Sequence, residues 1–357
     1  MIKVEEPGRG DYLRSLPPFE NAVSVAFEML NRGKKSIAIN LETEEGQEII
    51  NKLAATADVF FESFRPGTSK KLGCDFETIK KVNPRIIYCS LTGFGQTGPY
   101  RDIPGHDINF LSLSGFLNLN GKAEPVVPAV QVGDLAGGML AALTMTTALF
   151  ARQQRGEAQY IDVSMLDALL SWLTIPLALH PNGNERMLAG ELPFYHLYRT
   201  RDSKLLAVGA IEPQFWEEFC KLIKRPDLLP DQYSPEPRRT EVVEAIQSVI
   251  VEKTSDEWFR IMQELPCTPL LTLDEVLKDS HARKRHMLFE KEQVPATSQI
   301  TYVGSPCNIS GGGAVDLSPS PKLGQNSVEL LEEIGYSRSK IKDFIEGRVI
   351  LSSLEVQ

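Results

Sequence analysis

His106 is the histidine whose place in the sequence best suits chemistry. It stands in the segment Pro104-Gly105-His106-Asp107, after a predicted strand and the glycine-rich loop TGFGQTGP. Ligands of open α/β sheets bind at the carboxyl ends of the strands, and an imidazole gains or loses a proton near neutral pH. We therefore predict that His106 is an acid or a base at a ligand site, with a structural hydrogen-bonding role as the alternative.

Two carboxylates stand at predicted helix starts. Asp134 precedes the uncharged run LAGGMLAALTMTTALFA and is predicted as the N-cap of that helix. The two glycines at 137 and 138 would leave open space in front of its carboxylate. Glu212 follows the apolar strand end AVGAI, directly before a predicted helix. A ligand-facing role is possible for both, and the alternatives are helix capping for Asp134 and a water-facing helix-start acid for Glu212.

The elements that must position these residues follow a βα pattern in the first hundred residues. Short apolar runs alternate with amphipathic stretches, which is typical of a parallel sheet covered by helices. We predict an α/β fold with an open doubly wound parallel sheet in a large domain. Strands are predicted over 36–39, 58–61 and 85–89, and helices over 44–57 and 76–81.

The second half of the chain has a different pattern. Charge-poor helices are predicted over 135–151 and 166–179, buried against the sheet or a partner subunit. From Tyr195, the runs HLYRT and LLAVGAI predict a hairpin, followed by three helices. We predict three parts in chain order: a large α/β domain at 1–185, a small α+β domain at 195–290, and a C-terminal segment at 300–357 that returns to the large domain.

Composition excludes several classes of protein. The net charge is −9, from 38 basic and 47 acidic residues, and no long basic block occurs, so nucleic-acid binding is not expected. Five scattered cysteines without a CxxC pair give no disulfide framework and no zinc site, and they favour a reducing, cytoplasmic location. The apolar run after Asp134 contains glycines and threonines that suit a core helix better than a membrane span. The absence of GxSxG disfavours a serine hydrolase.

Seven segments together carry a family resemblance. EEPGRGDY, FRPGTSKKLG, NPRIIYCSLTGFGQTGPY, PGHDINF, GDLAGGM, IDVSMLDALL and AVGAIEPQFW occur in this order over nearly the whole chain. The set resembles the family III CoA-transferase superfamily of the CaiB/BaiF type. Within it, the α-methylacyl-CoA racemases are similar to this chain at His106, Asp134 and Glu212 together. The transferases usually keep the aspartate but have other residues in place of His106.

The resemblance to the racemases implies a reaction and a role for each of these residues. The substrate would be a 2-methyl-branched acyl-CoA thioester, with no metal and no cofactor besides the CoA of the substrate. His106, supported by Glu212, would be one acid/base and Asp134 the opposing one, because inversion through a planar enolate needs one group on each face. Backbone N–H groups near His106 and Asp107 would stabilise the enolate oxygen.

The resemblance also implies how CoA binds and how the protein assembles. Ile39 would lie beside the adenine, and Arg65 with Lys70 or Lys71 near the phosphates. Racemases often have an arginine where this chain has Lys71. A lysine keeps the positive charge but does not make the bidentate contact to a phosphate that an arginine makes. The family forms interlocked homodimers, in which the active site lies between the large domain of one chain and the small domain of its partner.

Two other functions and one departure from the family pattern stay open. A family III CoA-transferase would use Asp134 as a nucleophile that forms covalent intermediates, and a non-catalytic protein would only bind CoA thioesters. Family members usually begin with a further strand, loop and helix before the segment that matches residues 2–5. Loss of this N-terminal βα unit would leave an unpaired sheet edge or a gap, so the resemblance predicts either that the natural protein is longer or that the fold compensates for the loss.

Overall fold

A computed structural model describes residues 1–120, 124–290, 301–307, 309–310 and 318–353. The chain divides into two compact units. The first unit comprises Met1–Asp102, Gly138–Val163 and Glu275–Gln357, and the second comprises Ile103–Gly137 and Ser164–Asp274. The functional domains expected at 1–185, 195–290 and 300–357 stay a prediction.

Strands and helices alternate along the first unit and are grouped in the second. The strands are β1 Ile2–Glu5, β2 Phe19–Glu20, β3 Val23–Ser24, β4 Lys35–Ile39, β5 Val59–Glu62, β6 Ile87–Thr92, β7 Gln159–Ser164, β8 Tyr195–Arg199, β9 Leu205–Gly209, β10 Cys267–Pro269, β11 Leu288–Glu290, β12 Thr301–Val303 and β13 Ile350–Leu351. The α-helices are α1 Val25–Asn31, α2 Glu44–Thr56, α3 Thr68–Lys71, α4 Phe76–Val82, α5 Asp107–Leu113, α6 Phe116–Leu119, α7 Val132–Arg155, α8 Met165–Trp172, α9 Thr174–Leu179, α10 Pro213–Leu222, α11 Arg238–Ile250, α12 Ser255–Ile261, α13 Leu273–Val276, α14 Ser280–Lys284, α15 Ser327–Glu333 and α16 Arg338–Glu346.

Parallel strand pairs form the first unit, as predicted, but not in a single sheet. β4 pairs in parallel with β1 and antiparallel with β13, and β5 pairs in parallel with β6, which has β7 on its other side. The expectation of one open sheet is therefore corrected: these strands form two three-stranded sheets in the described part of the chain. The two sheets are separate because no described strand pairs with the edge of β1 that faces away from β4, or with the edge of β5 that faces away from β6.

Local sequence explains why the helices of the first unit begin and end where they do. The Thr43 hydroxyl accepts the N–H of Gly46 and caps α2, whose residues Ile49 and Leu53 are buried on one face. The helix ends at Thr56, one residue before the predicted end. The side-chain amide of Asn83 donates to the carbonyl oxygens of Ala54 and Ala57, which satisfies the end of α2.

The second unit contains the predicted hairpin. β8 and β9 pair antiparallel with Tyr195 opposite Gly209, and β10 adds to the other edge of β9. Its core includes Trp216 of α10, Ile246 of α11 and Trp258 of α12, which pack into one apolar cluster. The three helices expected after the hairpin are all present, as α10, α11 and α12.

One face of α7 is exposed. Leu135, Met139, Leu143 and Phe150 follow helical spacing and are 54%, 66%, 62% and 68% exposed, respectively. By length and composition alone, α7 could cross a membrane, and 22% of its most apolar 18-residue stretch is buried. One such helix is a weak indication of a span, since apolar helices of soluble proteins have the same composition. The expected burial of this helix is therefore not complete in a single chain.

Candidate active site

His106 lies at the start of α5 in the second unit. It is the N-cap residue, with an extended backbone, and its N–H donates to Oδ1 of Asn109 at 3.0 Å. Its imidazole is exposed. The N-cap geometry ends the glycine-rich connection after β6 and places His106 and Asp107 side by side at the amino end of a helix.

Asp134 lies inside the first turn of α7, not at its N-cap. The helix begins at Val132, so the prediction that Asp134 is the N-cap was wrong. The capping acid is Asp107 instead: its Oδ1 accepts the N–H of Gly133 at 2.7 Å and the N–H of Asp134 at 3.1 Å. A carboxylate from another helix thus satisfies two of the N–H groups that a helix start leaves without intrahelical partners.

Gly133 allows this close approach. A Cβ atom at this position would lie 3.0 Å from Oδ1 of Asp107 and 3.2 Å from Cδ1 of Leu169 on α8. Leu169 is fully buried and Phe110 of α5 is 3% exposed, so neither has free room to move. The lack of a side chain at 133 therefore brings the first turns of α5 and α7 together.

The surroundings of Asp134 favour its protonated form. The partial loss of hydration raises the pKa of its carboxyl group, the negative charge of Asp107 raises it further, and His106 acts in the opposite direction. The Asp134 side chain remains accessible to solvent on the isolated chain. It is thus reachable by a substrate and holds a proton to higher pH than an ordinary aspartate does.

Glu212 lies elsewhere in the second unit. It is the N-cap residue of α10, where its carbonyl oxygen accepts the N–H groups of Phe215 and Trp216, and its side chain is exposed. In the described part of the chain, no hydrogen bond or ion pair joins Glu212 to His106. Within one chain, therefore, the structure brings together His106, Asp107 and Asp134 and does not add Glu212 to them.

The residues assigned to CoA lie in the first unit. Arg65 follows β5 in a turn, and Lys70 and Lys71 end α3, with all three side chains exposed. Gly67 has a φ of 83°, a left-handed conformation that suits glycine and closes the turn between these cations. Ile39 is 2% exposed and packs in the core of this unit, so its side chain has a core role there.

A family model describes most of this chain. The model of CoA-transferase family III matches residues 1–327. The chain belongs to CoA-transferase family III.

Family III relatives of known activity fall into two kinds. Human α-methylacyl-CoA racemase is 36% identical over 337 residues, which cover 91% of this chain and 87% of the racemase. Succinyl-CoA:glutarate CoA-transferase of Mus musculus is 32% identical over 366 residues, covering 98% of this chain and 84% of the transferase. The crystal structure of a CaiB/BaiF family protein from Brucella suis has a TM-score of 0.79 and 26% identity, covering 93% of this chain and 91% of that one. The resemblance and the mixed α/β fold are thereby confirmed.

Sequence reasoning missed a buried cluster beside the family III motif FRPG. Glu62 at the end of β5 is 7% exposed, its Oε1 accepts the hydroxyl of Ser90 on β6, and its Oε2 accepts the N–H of Phe64 at 2.7 Å. The Tyr160 hydroxyl donates to Ser90 Oγ at 3.2 Å. The signal in the sequence was an acid at the end of the apolar strand VFFE, directly before the turn that holds Arg65.

Metal ligation receives no support from the side-chain clusters of this family III chain. Within the ranges that the structure describes, no group of three or more His, Cys, Asp or Glu side chains could hold a metal ion.

Proposed function

We propose that this family III protein is an α-methylacyl-CoA racemase-like isomerase. It inverts the 2-methyl centre of a branched acyl-CoA by removing the α-proton from one face and returning a proton to the other. One observation carries the proposal: His106 stands directly before Asp107 at the start of α5, and the Asp107 carboxylate accepts the backbone N–H of Asp134 at the start of α7. A two-face reaction needs two acid/base groups, one for each face of the substrate.

The proposed reaction passes through an enolate of the thioester. Either His106 or Asp134 takes the α-proton, the electron pair moves onto the carbonyl oxygen, and the opposite group then protonates the α-carbon. The His106 N–H already donates to Asn109. The first-turn N–H of Asp107 is therefore the donor that we assign to the enolate oxygen.

CoA is part of the substrate, and the reaction needs no other cofactor. We assign the phosphates to Arg65, Lys70 and Lys71, whose positive charges lie within seven residues of one another and face solvent. Ile39 is assigned to the adenine side of the same site. Because its side chain is buried, the adenine would contact its backbone or the surface above it.

A homodimer is part of the proposal. Leu135, Met139, Leu143 and Phe150 form an exposed apolar stripe on α7. The same stripe on a second copy of the chain would bury it. In an interlocked dimer, Glu212 of the partner subunit would support His106, which agrees with the lack of a bond between the two residues in one chain. The cysteines are all free, four of them buried. They suit a reducing compartment, and we propose a cytoplasmic location.

Isotope exchange tests the reaction class. Incubation of one enantiomer of a 2-methylacyl-CoA in D₂O should give α-deuterium together with loss of optical purity. Transfer of CoA to a free carboxylic acid without α-exchange would reject the racemase. If the protein binds the thioester but catalyses neither reaction, it is a non-catalytic CoA-thioester binding protein.

The second candidate is a family III CoA-transferase. The 32% identity to the mouse transferase over 98% of this chain favours it. Asp134 would then attack the thioester carbonyl, release CoA thiolate and form a mixed anhydride with the donor acid. The thiolate would attack the Asp134 carbonyl of this anhydride, release the donor carboxylate and leave a CoA thioester on Asp134, from which an acceptor carboxylate would take the CoA through a second anhydride. Hydroxylamine treatment of enzyme and acyl-CoA, followed by mass spectrometry, would find a hydroxamate at Asp134 only in this case.

A further inference from the structure

We infer that Asp107 is the positioning residue for Asp134: its carboxylate holds the first turn of α7 in place and sets a negative charge beside the Asp134 carboxylate. This is a role for the side chain, separate from the backbone N–H of Asp107 that faces the substrate. Its catalytic consequence rests on the proposed function, whereas its effect on Asp134 itself does not.

The hydrogen bonds give the first half of the inference. One oxygen of Asp107 accepts two successive N–H groups of α7, at 2.7 Å from Gly133 and 3.1 Å from Asp134. The second of these belongs to the catalytic residue itself, so the backbone of Asp134 is attached directly to α5. Charge-assisted bonds of this kind are about twice as strong as neutral ones.

The packing makes this attachment rigid. Gly133 is buried between Asp107 and Leu169, and even one added carbon there would lie within 3.2 Å of both. Asp107 begins α5 and Leu169 lies in α8, so Gly133 is fixed from two sides. A rigid element keeps a catalytic group in its reactive position, and a misplacement of about 1 Å can cost about 10²-fold in rate.

The charge gives the second half. Among the described residues, the titratable groups that act on Asp134 are Asp107 and His106, both at the start of α5, while α8 contributes the apolar Leu169 at this point. Since like charges oppose each other, the ionised Asp107 makes Asp134 hold its proton more strongly.

Two variants separate position from charge. Asp107→Asn keeps the shape and an oxygen that can accept both N–H groups, but it removes the charge. Asp107→Ala removes both. Asp167→Asn is the matched control, because Asp167 is an exposed first-turn acid on the neighbouring helix α8. The carboxyl ¹³C signal of Asp134, assigned with Asp134→Asn, reports its protonation in the full-length protein without any substrate.

The expected result is a shift to lower pH of the Asp134 titration in Asp107→Asn, with thermal stability close to wild type. The acid limb of the α-deuteration pH profile should move with it. Asp107→Ala should lose about tenfold or more in exchange rate, because displacement of a catalytic group is costly, and Asp167→Asn should change neither readout.

An unchanged Asp134 titration in Asp107→Asn would overturn the inference. If the wild-type protein shows no α-exchange at all, the proposed function fails, but the ¹³C titration still decides whether Asp107 controls Asp134.

Discussion

At the scale of single residues, His106 and Asp134 have distinct surroundings. His106 is exposed at a helix start. The pKa of Asp134 is raised by its partial burial and, to a smaller extent, by the neighbouring carboxylate of Asp107. Two groups with different environments suit a reaction in which each serves one face of the substrate. A nucleophile and its general base, in contrast, must lie within hydrogen-bond distance of each other.

Single substitutions separate the two faces. His106→Ala and Asp134→Ala should each lower inversion by about 10²–10⁴-fold, the usual contribution of an acid/base group. Each variant should still exchange the α-proton of one enantiomer, and the two variants should prefer opposite hands. Chiral analysis and deuterium content of both enantiomers measure this. If both variants racemise the substrate near the wild-type rate, neither His106 nor Asp134 is an acid/base of the reaction.

At the scale of elements, the starts of α5 and α7 act as one structure. They are joined by the Asp107 carboxylate and by the absence of a side chain at Gly133. The same principle applies at the ends of β5 and β6, where Glu62 joins Ser90 to the backbone of Phe64. In each joint a carboxylate accepts a hydrogen bond from a residue that is distant in sequence: Gly133 for Asp107, and Ser90 for Glu62.

Gly133→Ala tests the first joint. The added methyl would press on Asp107 and Leu169, so we expect a loss of about 1–3 kcal/mol in the free energy of unfolding and a large loss of activity. Gly138→Ala is the control on the same helix, because no atom lies within 4 Å of its Cβ position. Alanine there should stabilise by up to about 1 kcal/mol. Urea unfolding measures both, and equal stabilities for the two variants would contradict this packing.

Glu62 makes stability depend on pH at the second joint. Burial raises the pKa of its carboxyl group, although the bonds from Ser90 and Phe64 oppose this. Between the unfolded and the folded pKa, the native state binds more protons, so its stability falls as pH rises through that window. Glu62→Gln has no such proton to lose; its amide oxygen can accept the Phe64 N–H, and its NH2 can donate to Ser90 Oγ, which reverses the direction of that bond. Its free energy of unfolding should therefore be less dependent on pH than that of wild type.

Glu62→Ala gives the contrasting result. It leaves the Ser90 hydroxyl and the Phe64 N–H without this acceptor, which costs about 1–3 kcal/mol for a buried group. Denaturant unfolding from pH 4 to pH 8 checks both variants. A Glu62→Gln curve parallel to the wild-type curve throughout would show that the carboxyl does not titrate in that range.

At the scale of the whole molecule, we propose that the exposed face of α7 lies in the interface of the homodimer. Leu143→Glu puts a charge in the middle of the stripe and should weaken the homodimer by tenfold or more, since a buried leucine contributes about 1.5–3 kcal/mol. Leu30→Glu is the matched control: Leu30 on α1 is 64% exposed, against 62% for Leu143. Sedimentation velocity over a dilution series measures both. A folded, active wild-type monomer at nanomolar concentration would contradict an obligate dimer.

The local sequence was sufficient to predict much of the fold. α2, β4 and the β8–β9 hairpin have the expected positions, because apolar periodicity and nearby caps such as Thr43 act over a few residues. The seven family motifs likewise identified the family, whereas the acid/base roles of His106 and Asp134 stay a prediction.

Contacts between distant residues determined the rest. Asp107 caps α7 from 26 positions away and starts it two residues before Asp134, and Glu62 reaches Ser90 from 28 positions away. Neither pairing leaves a periodic signal, since each depends on where two chain segments meet. The division of the strands into two sheets and the exposed face of α7 also follow from which surfaces find a partner in the folded chain. Hydrophobic pattern specifies that a face will be buried, but only tertiary packing decides what buries it.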